Sequence, residues 1–151
     1  MSKKQVSLEC IAALLIILFL YASLSKFLDF KTFTGEMNNQ PLPNSWTPFL
    51  IWFIPCTEIA ICIALLFEYT RLLGFIVSLI LMSLFTLYTI TILLHFFSYV
   101  PCSCGGVIKR LTWKQHLLFN LFFVALSVIG INIQRRKQSN FLFITTKHSF
   151  L

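Results

Sequence analysis

The chain has 151 residues, of which 58% are hydrophobic and only 11% are charged, and its formal net charge is +7. An average soluble domain has roughly 25% charged residues, so this composition excludes an ordinary water-soluble globular fold. The cations lie beside long apolar runs. The positive charge therefore indicates membrane topology and contact with lipid headgroups in a bilayer, and not nucleic-acid binding.

Four apolar runs are long enough to cross a bilayer, and they have no polar face. A spanning helix needs roughly 17–25 predominantly apolar residues. The predicted spans cover residues 8–27, 48–67, 72–97 and 114–133. We therefore predict an all-α membrane protein with a four-transmembrane-helix bundle over residues 1–134 and a basic cytoplasmic tail over residues 135–151.

The distribution of Lys and Arg predicts the orientation of these spans. The side that holds both termini carries seven cations: Lys3, Lys4, Arg71, Arg135, Arg136, Lys137 and Lys147. The other side carries four: Lys31, Lys109, Arg110 and Lys114. We expect a multi-pass protein of the bacterial inner membrane with both termini in the cytoplasm. The loop between the third and fourth spans then lies in the periplasm, where thiols can be oxidised.

A short amphipathic helix is predicted in the loop between the first two spans. Phe30, Phe33 and Met37 recur at helical spacing, with charged residues between them. The following segment, NNQPLPNS, contains two prolines and ends the pattern. We expect this helix, over residues 29–37, to lie at the membrane surface.

The loop between the third and fourth spans contains VPCSCGGVIKRLTW, residues 100–113, and two of the five cysteines. Cys102 and Cys104 are separated by one residue and can close a small, strained disulfide, which is the oxidising and labile kind. Lys109, Arg110 and the N-terminus of the next helix would stabilise a thiolate here. The spacing is compatible with an exchange-active dithiol, with a metal site, with a disulfide that only holds a turn, and with two unpaired thiols.

Two histidines flank this loop. His95 lies near the end of the third span, and His116 lies in the first turn of the fourth. Together with Cys102 and Cys104 they make a complete ligand set for Zn²⁺ or Cu⁺, although Cys-x-Cys is tighter than the usual zinc spacing. The same histidines can instead relay protons for the thiols, or be interfacial polar residues.

An acidic residue, Glu58, lies inside the second span, where a carboxylate indicates a functional site with a charged partner. Lys26, toward the end of the first span, is the expected partner, either as a structural clamp or as part of a proton path. The alternatives are that Glu58 is protonated or bonds to a hydroxyl such as that of Thr57 or Ser78, and that Lys26 snorkels or pairs with Asp29.

The sequence LTWKQH predicts the start of the fourth helix. Thr112 is the expected N-cap, and Gln115, three residues later, completes a capping box. Further along this helix, Asn120 is a polar residue in an apolar run, and we expect it to form a hydrogen bond between helices.

Three segments of the chain resemble the MauE family, within the wider DoxX-like group of four-helix membrane proteins. They are ASLSKFLDFKTF at 22–33, PCTEIAICIALLF at 55–67, and CSCGG…LTWKQHLLFN at 102–120. Their order and spacing match the family from the first span to the fourth. The loop in the family often reads Cys-Gly-Cys-Phe-Gly. Here Ser103 replaces the middle glycine and Gly105 the phenylalanine, while both cysteines are kept.

The resemblance implies a redox-associated inner-membrane protein that supports disulfide formation or the maturation of periplasmic proteins, as in methylamine dehydrogenase maturation. On this basis we expect a thiol–disulfide oxidoreductase in which Cys102 and Cys104 react. Electrons would pass between a periplasmic thioredoxin-like partner and a membrane quinone or another thiol. The two flanking histidines, Glu58 and Lys26 complete the predicted site. The alternatives are a soft-metal binding or transport module and a non-enzymatic subunit of an envelope complex.

Overall fold

The computed structural model describes residues 3–41, 43–96 and 112–148, with side chains as far as residue 139. The elements are α1 Lys3–Leu28, α2 Phe30–Asn38, a 3-10 turn Asn44–Trp46, α3 Thr47–Leu66, α4 Arg71–Leu93 and α5 Trp113–His148. Helices α1, α3, α4 and α5 each contain a segment long and apolar enough to cross a membrane. The prediction of an all-α bundle with four spans is therefore confirmed.

The four long helices pack in a closed arrangement, in which α1 contacts α3, α3 contacts α4, α4 contacts α5, and α5 returns to α1. The buried apolar side chains between them include Leu15, Phe19, Ile61, Leu65 and Phe75. Lipid tails are as apolar as leucine, so close packing and polar contacts, and not exclusion from water, hold such helices together.

Two glycines allow the helices of this bundle to approach closely. A Cβ atom on Gly130 of α5 would lie 2.6 Å from Cε1 of Phe75 on α4. A Cβ atom on Gly74 of α4 would lie 2.9 Å from the side chain of Leu65 on α3. Because these glycines have no side chain, Phe75 fills the space beside Gly130 and Leu65 fills the space beside Gly74.

Hydrogen bonds between side chains also join α4 to α5. The hydroxyl groups of Ser78 and Ser127 are 3.1 Å apart. Asn120 Nδ2 donates to Thr89 Oγ1 at 3.4 Å, which confirms the bond between helices expected for this asparagine. Ser78 therefore uses its hydroxyl against α5, and is not the partner of Glu58.

Ion pairs lie at the end of the bundle where α1 begins. Arg71 is buried, and its guanidinium donates to Glu9 Oε1 at 2.6 Å and to the Leu65 carbonyl at 3.1 Å. Lys137 pairs with Glu68 near the surface. The hydrogen bond from Lys137, together with the charge of its ammonium group, lowers the pKa of Glu68. Arg71 of α4 thus bonds to residues of both α1 and α3, in addition to adding a positive charge at this end of the bundle.

Helix α4 ends at Leu93, before the predicted span end at residue 97. The reason is a left-handed turn at His95, whose φ is 54°. The His95 N–H donates to the Ile92 carbonyl at 3.0 Å, and the Phe96 N–H donates to the Thr91 carbonyl at 3.2 Å. This pair of bonds is the Schellman helix end, a position that glycine usually takes.

Helix α5 is the longest element, with 36 residues. It continues without a break beyond the predicted fourth span and through most of the segment predicted as a basic tail, as far as His148. At 1.5 Å per residue such a helix is about 54 Å long, well beyond the roughly 30 Å of a hydrocarbon core.

Candidate functional site: a cavity beside a buried ion pair

A cavity of about 320 Å³ lies at one end of the bundle. Residues from the C-terminal halves of α1 and α4, from positions 50–58 of α3 and from the N-terminal half of α5 line it, and α2 contributes residues as well. We call this the cavity end of the bundle. The loop that contains Cys102 and Cys104 joins α4 to α5 at this same end.

The charged groups in the cavity wall are Lys26 of α1 and Glu58 of α3. Lys26 Nζ donates to Glu58 Oε1 at 2.8 Å and to Oε2 at 3.1 Å, and the two residues are only 6% and 1% exposed. Lys26 Nζ also donates to the Ala22 carbonyl at 3.2 Å. These three acceptors match the three N–H bonds of an ammonium group. The predicted contact between Lys26 and Glu58 is confirmed.

The alternative partners considered for this pair make other contacts. Thr57 donates its hydroxyl to the Phe53 carbonyl at 2.7 Å. Asp29 accepts from the Thr32 N–H at 3.3 Å and so caps α2. Since its ammonium group is buried in the bundle, Lys26 does not extend toward the surface.

Helix α2 lies over the ion pair, at the position predicted for the amphipathic helix. Its buried apolar side chains, Phe33 and Met37, line the cavity. The Phe33 ring centre is 5.9 Å from Lys26 Nζ, within the range of a cation–π contact. Just after α2, the buried Gln40 accepts a hydrogen bond from the Tyr88 hydroxyl of α4. These contacts hold α2 against the bundle.

The start of α5 forms another part of the cavity wall. The Thr112 N–H donates to Gln115 Oε1 at 2.9 Å, and the Gln115 N–H donates to Thr112 Oγ1 at 3.4 Å. This reciprocal pair is the predicted capping box. Trp113 and His116, whose ring centres are 6.1 Å apart, line the cavity in the first turn.

The two histidines of the predicted site lie in different environments. His116 lines the cavity together with Lys26 and Glu58. His95 is exposed beyond the end of α4, and its Nδ1 is 3.1 Å from the Leu93 carbonyl oxygen. The cavity therefore brings together three of the six predicted site residues.

Cys102 and Cys104 lie outside the described residues, and so does the predicted thiol or metal centre that they would form. Within residues 3–41, 43–96 and 112–148, no group of three or more His, Cys, Asp or Glu side chains is placed to hold a metal ion. Of the other cysteines, Cys62 is buried with its sulfur 3.6 Å from the Ile16 carbonyl, while Cys10 and Cys56 are exposed.

Sequence reasoning missed several polar groups of the cavity. Gln40, Tyr88 and Thr89 all line it. Gln40 falls in the loop segment that was interpreted only as a helix breaker, and Tyr88 and Thr89 fall in an apolar run. For Tyr88 and Thr89, the sequence signal is a hydrogen-bonding side chain within a span, since such side chains tend to face other helices and not lipid.

The fold and this site define a multi-pass membrane protein of four apolar helices with a buried ion pair beside a partly polar cavity. The family model described as "Methylamine utilisation protein MauE" matches residues 4–133, so the chain belongs to the MauE family. That match covers all four spans and both members of the ion pair. No curated protein and no solved structure matches the chain.

Proposed function

We propose that this protein is a thiol-redox protein of the bacterial inner membrane. In this proposal Cys102 and Cys104 exchange disulfides with a thioredoxin-like partner in the periplasm and thereby support the maturation of periplasmic proteins. Membership of the MauE family supports a role of this general kind. The Cys-x-Cys sequence with its two adjacent glycines and two nearby cations supports the thiol chemistry.

The observation that carries the proposal is the position of the α5 N-terminus. The capping box at Thr112 and Gln115 begins this helix directly after the Cys-x-Cys loop. The first turn then places His116 at a cavity that holds a buried ion pair. Backbone N–H groups at a helix N-terminus stabilise nearby negative charge, and a thiolate in such a place has a lowered pKa.

The exchange conserves atoms and electrons. One thiolate of the Cys102–Cys104 pair attacks a sulfur of the partner's disulfide, so a mixed disulfide forms and one partner thiolate leaves. The second cysteine then attacks the mixed disulfide, which closes the Cys102–Cys104 disulfide and releases the partner as a dithiol. Two electrons pass to the partner, and the reverse sequence returns them.

The neighbouring residues are assigned supporting roles in this proposal. His116 accepts a thiol proton and returns it during the cycle, as an imidazole can near neutral pH. The pair formed by Lys26 and Glu58 joins α1 to α3 at the end of the bundle that carries the reactive loop.

The proposed orientation places both termini in the cytoplasm. The support for it is the excess of Lys and Arg on the side of the termini. A membrane-impermeant maleimide added to intact, reduced cells tests this orientation, with Tyr69→Cys as the matched thiol, because Tyr69 is 99% exposed in the turn between α3 and α4 at the opposite end of the bundle. Labelling of the 100–113 loop without labelling at position 69 is expected, and the reverse pattern would refute the orientation.

The experiment that tests the function traps the mixed disulfide. Cys102→Ser and Cys104→Ser variants are produced in the bacterial envelope, free thiols are alkylated, and disulfide-linked proteins are identified by mass spectrometry. One single variant is expected to hold a thioredoxin-like protein in a linkage that dithiothreitol releases, while the double variant holds none. Cys56→Ser, which changes an exposed thiol of α3, is the control and should leave trapping intact. No trapped species in either single variant would contradict the proposal.

A further inference from the structure

The cavity combines apolar, ring-rich walls with a few hydrogen-bonding groups. Phe19, Phe85 and Phe119 line it from three different helices. Lys26 of α1, Glu58 of α3 and the buried Asn120 of α5 also line it. The volume of about 320 Å³ falls at the lower end of the range for small-molecule sites.

The mixture of aromatic and hydrogen-bonding side chains in the cavity wall indicates which class of ligand fits. A hydrocarbon chain would form no hydrogen bond with Asn120 or His116 of α5, and a strongly polar metabolite would gain little from the aromatic walls. A flat ring that bears hydrogen-bond-accepting oxygens and an apolar tail suits both. Aromatic side chains stack on such a ring, and an amide N–H or an imidazole can donate to its oxygens.

Asn120 is placed to make such a contact. Its amide carries two N–H bonds, and the structure directs one hydrogen bond from Nδ2 to Thr89 Oγ1 at 3.4 Å. His116, one turn earlier on the same helix, lines the same cavity. The two side chains therefore form a polar edge of the cavity on α5.

We propose that the cavity binds the ring of a membrane quinone, with Asn120 and His116 as the groups that recognise its oxygens. The electron transfer in this inference rests on the proposed thiol function. The binding site itself consists only of residues that the structure describes. A quinone accepts two electrons and two protons to become a quinol. A Cys102–Cys104 dithiol gives up two electrons and two protons when its S–S bond forms, so the two half-reactions balance.

The fluorescence of Trp113 provides the test, because this tryptophan lines the cavity. The chain has three tryptophans, and Trp46→Phe with Trp52→Phe leaves Trp113 as the reporter. This protein in lipid nanodiscs is titrated with a short-chain benzoquinone or naphthoquinone, and with naphthalene as a ring that lacks oxygens. Saturable quenching by the quinone, and only linear quenching by naphthalene, is expected.

Matched variants on α5 separate specific binding from partition into lipid. Asn120→Leu and His116→Leu should each weaken quinone binding roughly tenfold, the effect of losing one hydrogen bond of ordinary strength. Phe122→Leu changes an exposed side chain of the same helix and should have no effect. The helical circular dichroism of each variant shows whether it has folded. Linear quenching by the quinone, or equal affinity in the folded variants and the control, would overturn the inference.

The same titration on the Cys102→Ser, Cys104→Ser double variant tests quinone binding independently of the proposed thiol exchange. Quinone binding should persist there, because the site does not include the cysteines. A trapped mixed disulfide without saturable quinone binding would refute the quinone site alone. Saturable binding without any trapped partner would refute the exchange reaction alone.

Discussion

Lys26 and Glu58 form a buried, hydrogen-bonded ion pair between α1 and α3, with Nζ 2.8 Å from the nearer carboxylate oxygen. Each residue lies within a helix that is long and apolar enough to cross a membrane. A charge in such a place is costly unless it is paired. The pair therefore explains why these spans tolerate a lysine and a glutamate, and it fixes the rotation of α1 relative to α3 at the cavity end.

The first prediction concerns the removal of one member of this pair. Lys26→Met or Glu58→Gln leaves the other member without its partner, and breaking a buried pair costs about 3–5 kcal/mol. The Lys26→Met, Glu58→Gln double variant should lose much less than the sum of the two. Free energies of unfolding from SDS titration in mixed micelles measure all three.

Glu68→Gln is the matched control for that series. It removes a carboxylate from a surface pair with Lys137, and exposed pairs contribute within about 1 kcal/mol. Strictly additive losses from Lys26→Met and Glu58→Gln would show that the two side chains do not interact in the membrane.

A second prediction concerns His95, whose backbone is left-handed. Glycine adopts this conformation without strain, whereas other residues lose roughly 1–2 kcal/mol there. His95→Gly should therefore be more stable than His95→Ala by about that amount, as measured by thermal unfolding in detergent. Equal stability of the two variants would contradict the left-handed turn.

The same His95→Gly variant separates the roles considered for this imidazole, because it keeps the turn and removes the ring. If His95 only ends α4, disulfide trapping should be unchanged when His95→Gly is combined with whichever of Cys102→Ser and Cys104→Ser traps the partner. A loss of trapping in this well-folded variant would assign His95 a part in the thiol chemistry.

A third prediction concerns the contact between α4 and α5 at Gly130. An alanine Cβ would lie 2.6 Å from the Phe75 ring, so the ring or one of the two helices must shift, and overpacking of this kind costs about 1–3 kcal/mol. Gly130→Ala should lower stability in SDS titration, and Phe75→Leu in the same chain should restore part of it. Gly35→Ala in α2 is the control, since nothing lies within 4 Å of its added Cβ. A loss in Gly35→Ala as large as that in Gly130→Ala would contradict this account.

A fourth prediction follows from the lowered pKa of Glu68. A carboxyl group whose pKa is lower in the folded state stabilises the protein above its unfolded pKa, near 4.5, and this contribution is lost as the pH falls through the folded value. The stability difference between the native protein and Glu68→Gln should be constant near neutral pH and vanish in acid. It should be small, because the pair is exposed and screened. A difference that grows as the pH falls would contradict the assigned pairing.

Much of the fold follows from local sequence patterns. The four apolar runs predict the spans because a bilayer requires long apolar helices. Thr112 and Gln115 predict the start of α5 because both members of a capping box lie within one turn. The pairing of Lys26 with Glu58 is also predictable, since a buried charge in a span needs a partner of opposite sign.

Other features depend on how the helices are rotated and packed, which local patterns do not specify. The bond from Tyr88 to Gln40 and the bond from Arg71 to Glu9 join residues far apart in the chain. The left-handed turn at His95 occupies a position that glycine usually takes, so no local pattern indicates that α4 ends early. The amphipathic pattern of α2 also does not say whether its apolar side meets lipid or, as for Phe33, a protein cavity.

A redox titration of the Cys102–Cys104 pair tests the proposed thiol-redox function most directly. The purified protein in nanodiscs is equilibrated in dithiothreitol buffers of defined potential, alkylated and digested, and the peptide spanning residues 100–113 is quantified by mass spectrometry. We expect one reversible two-electron transition, in which both cysteines change from alkylated to disulfide-linked together, and reduction of that disulfide by a thioredoxin-like protein. Two cysteines that remain alkylated at every potential, or a disulfide that such a protein cannot reduce, would contradict it.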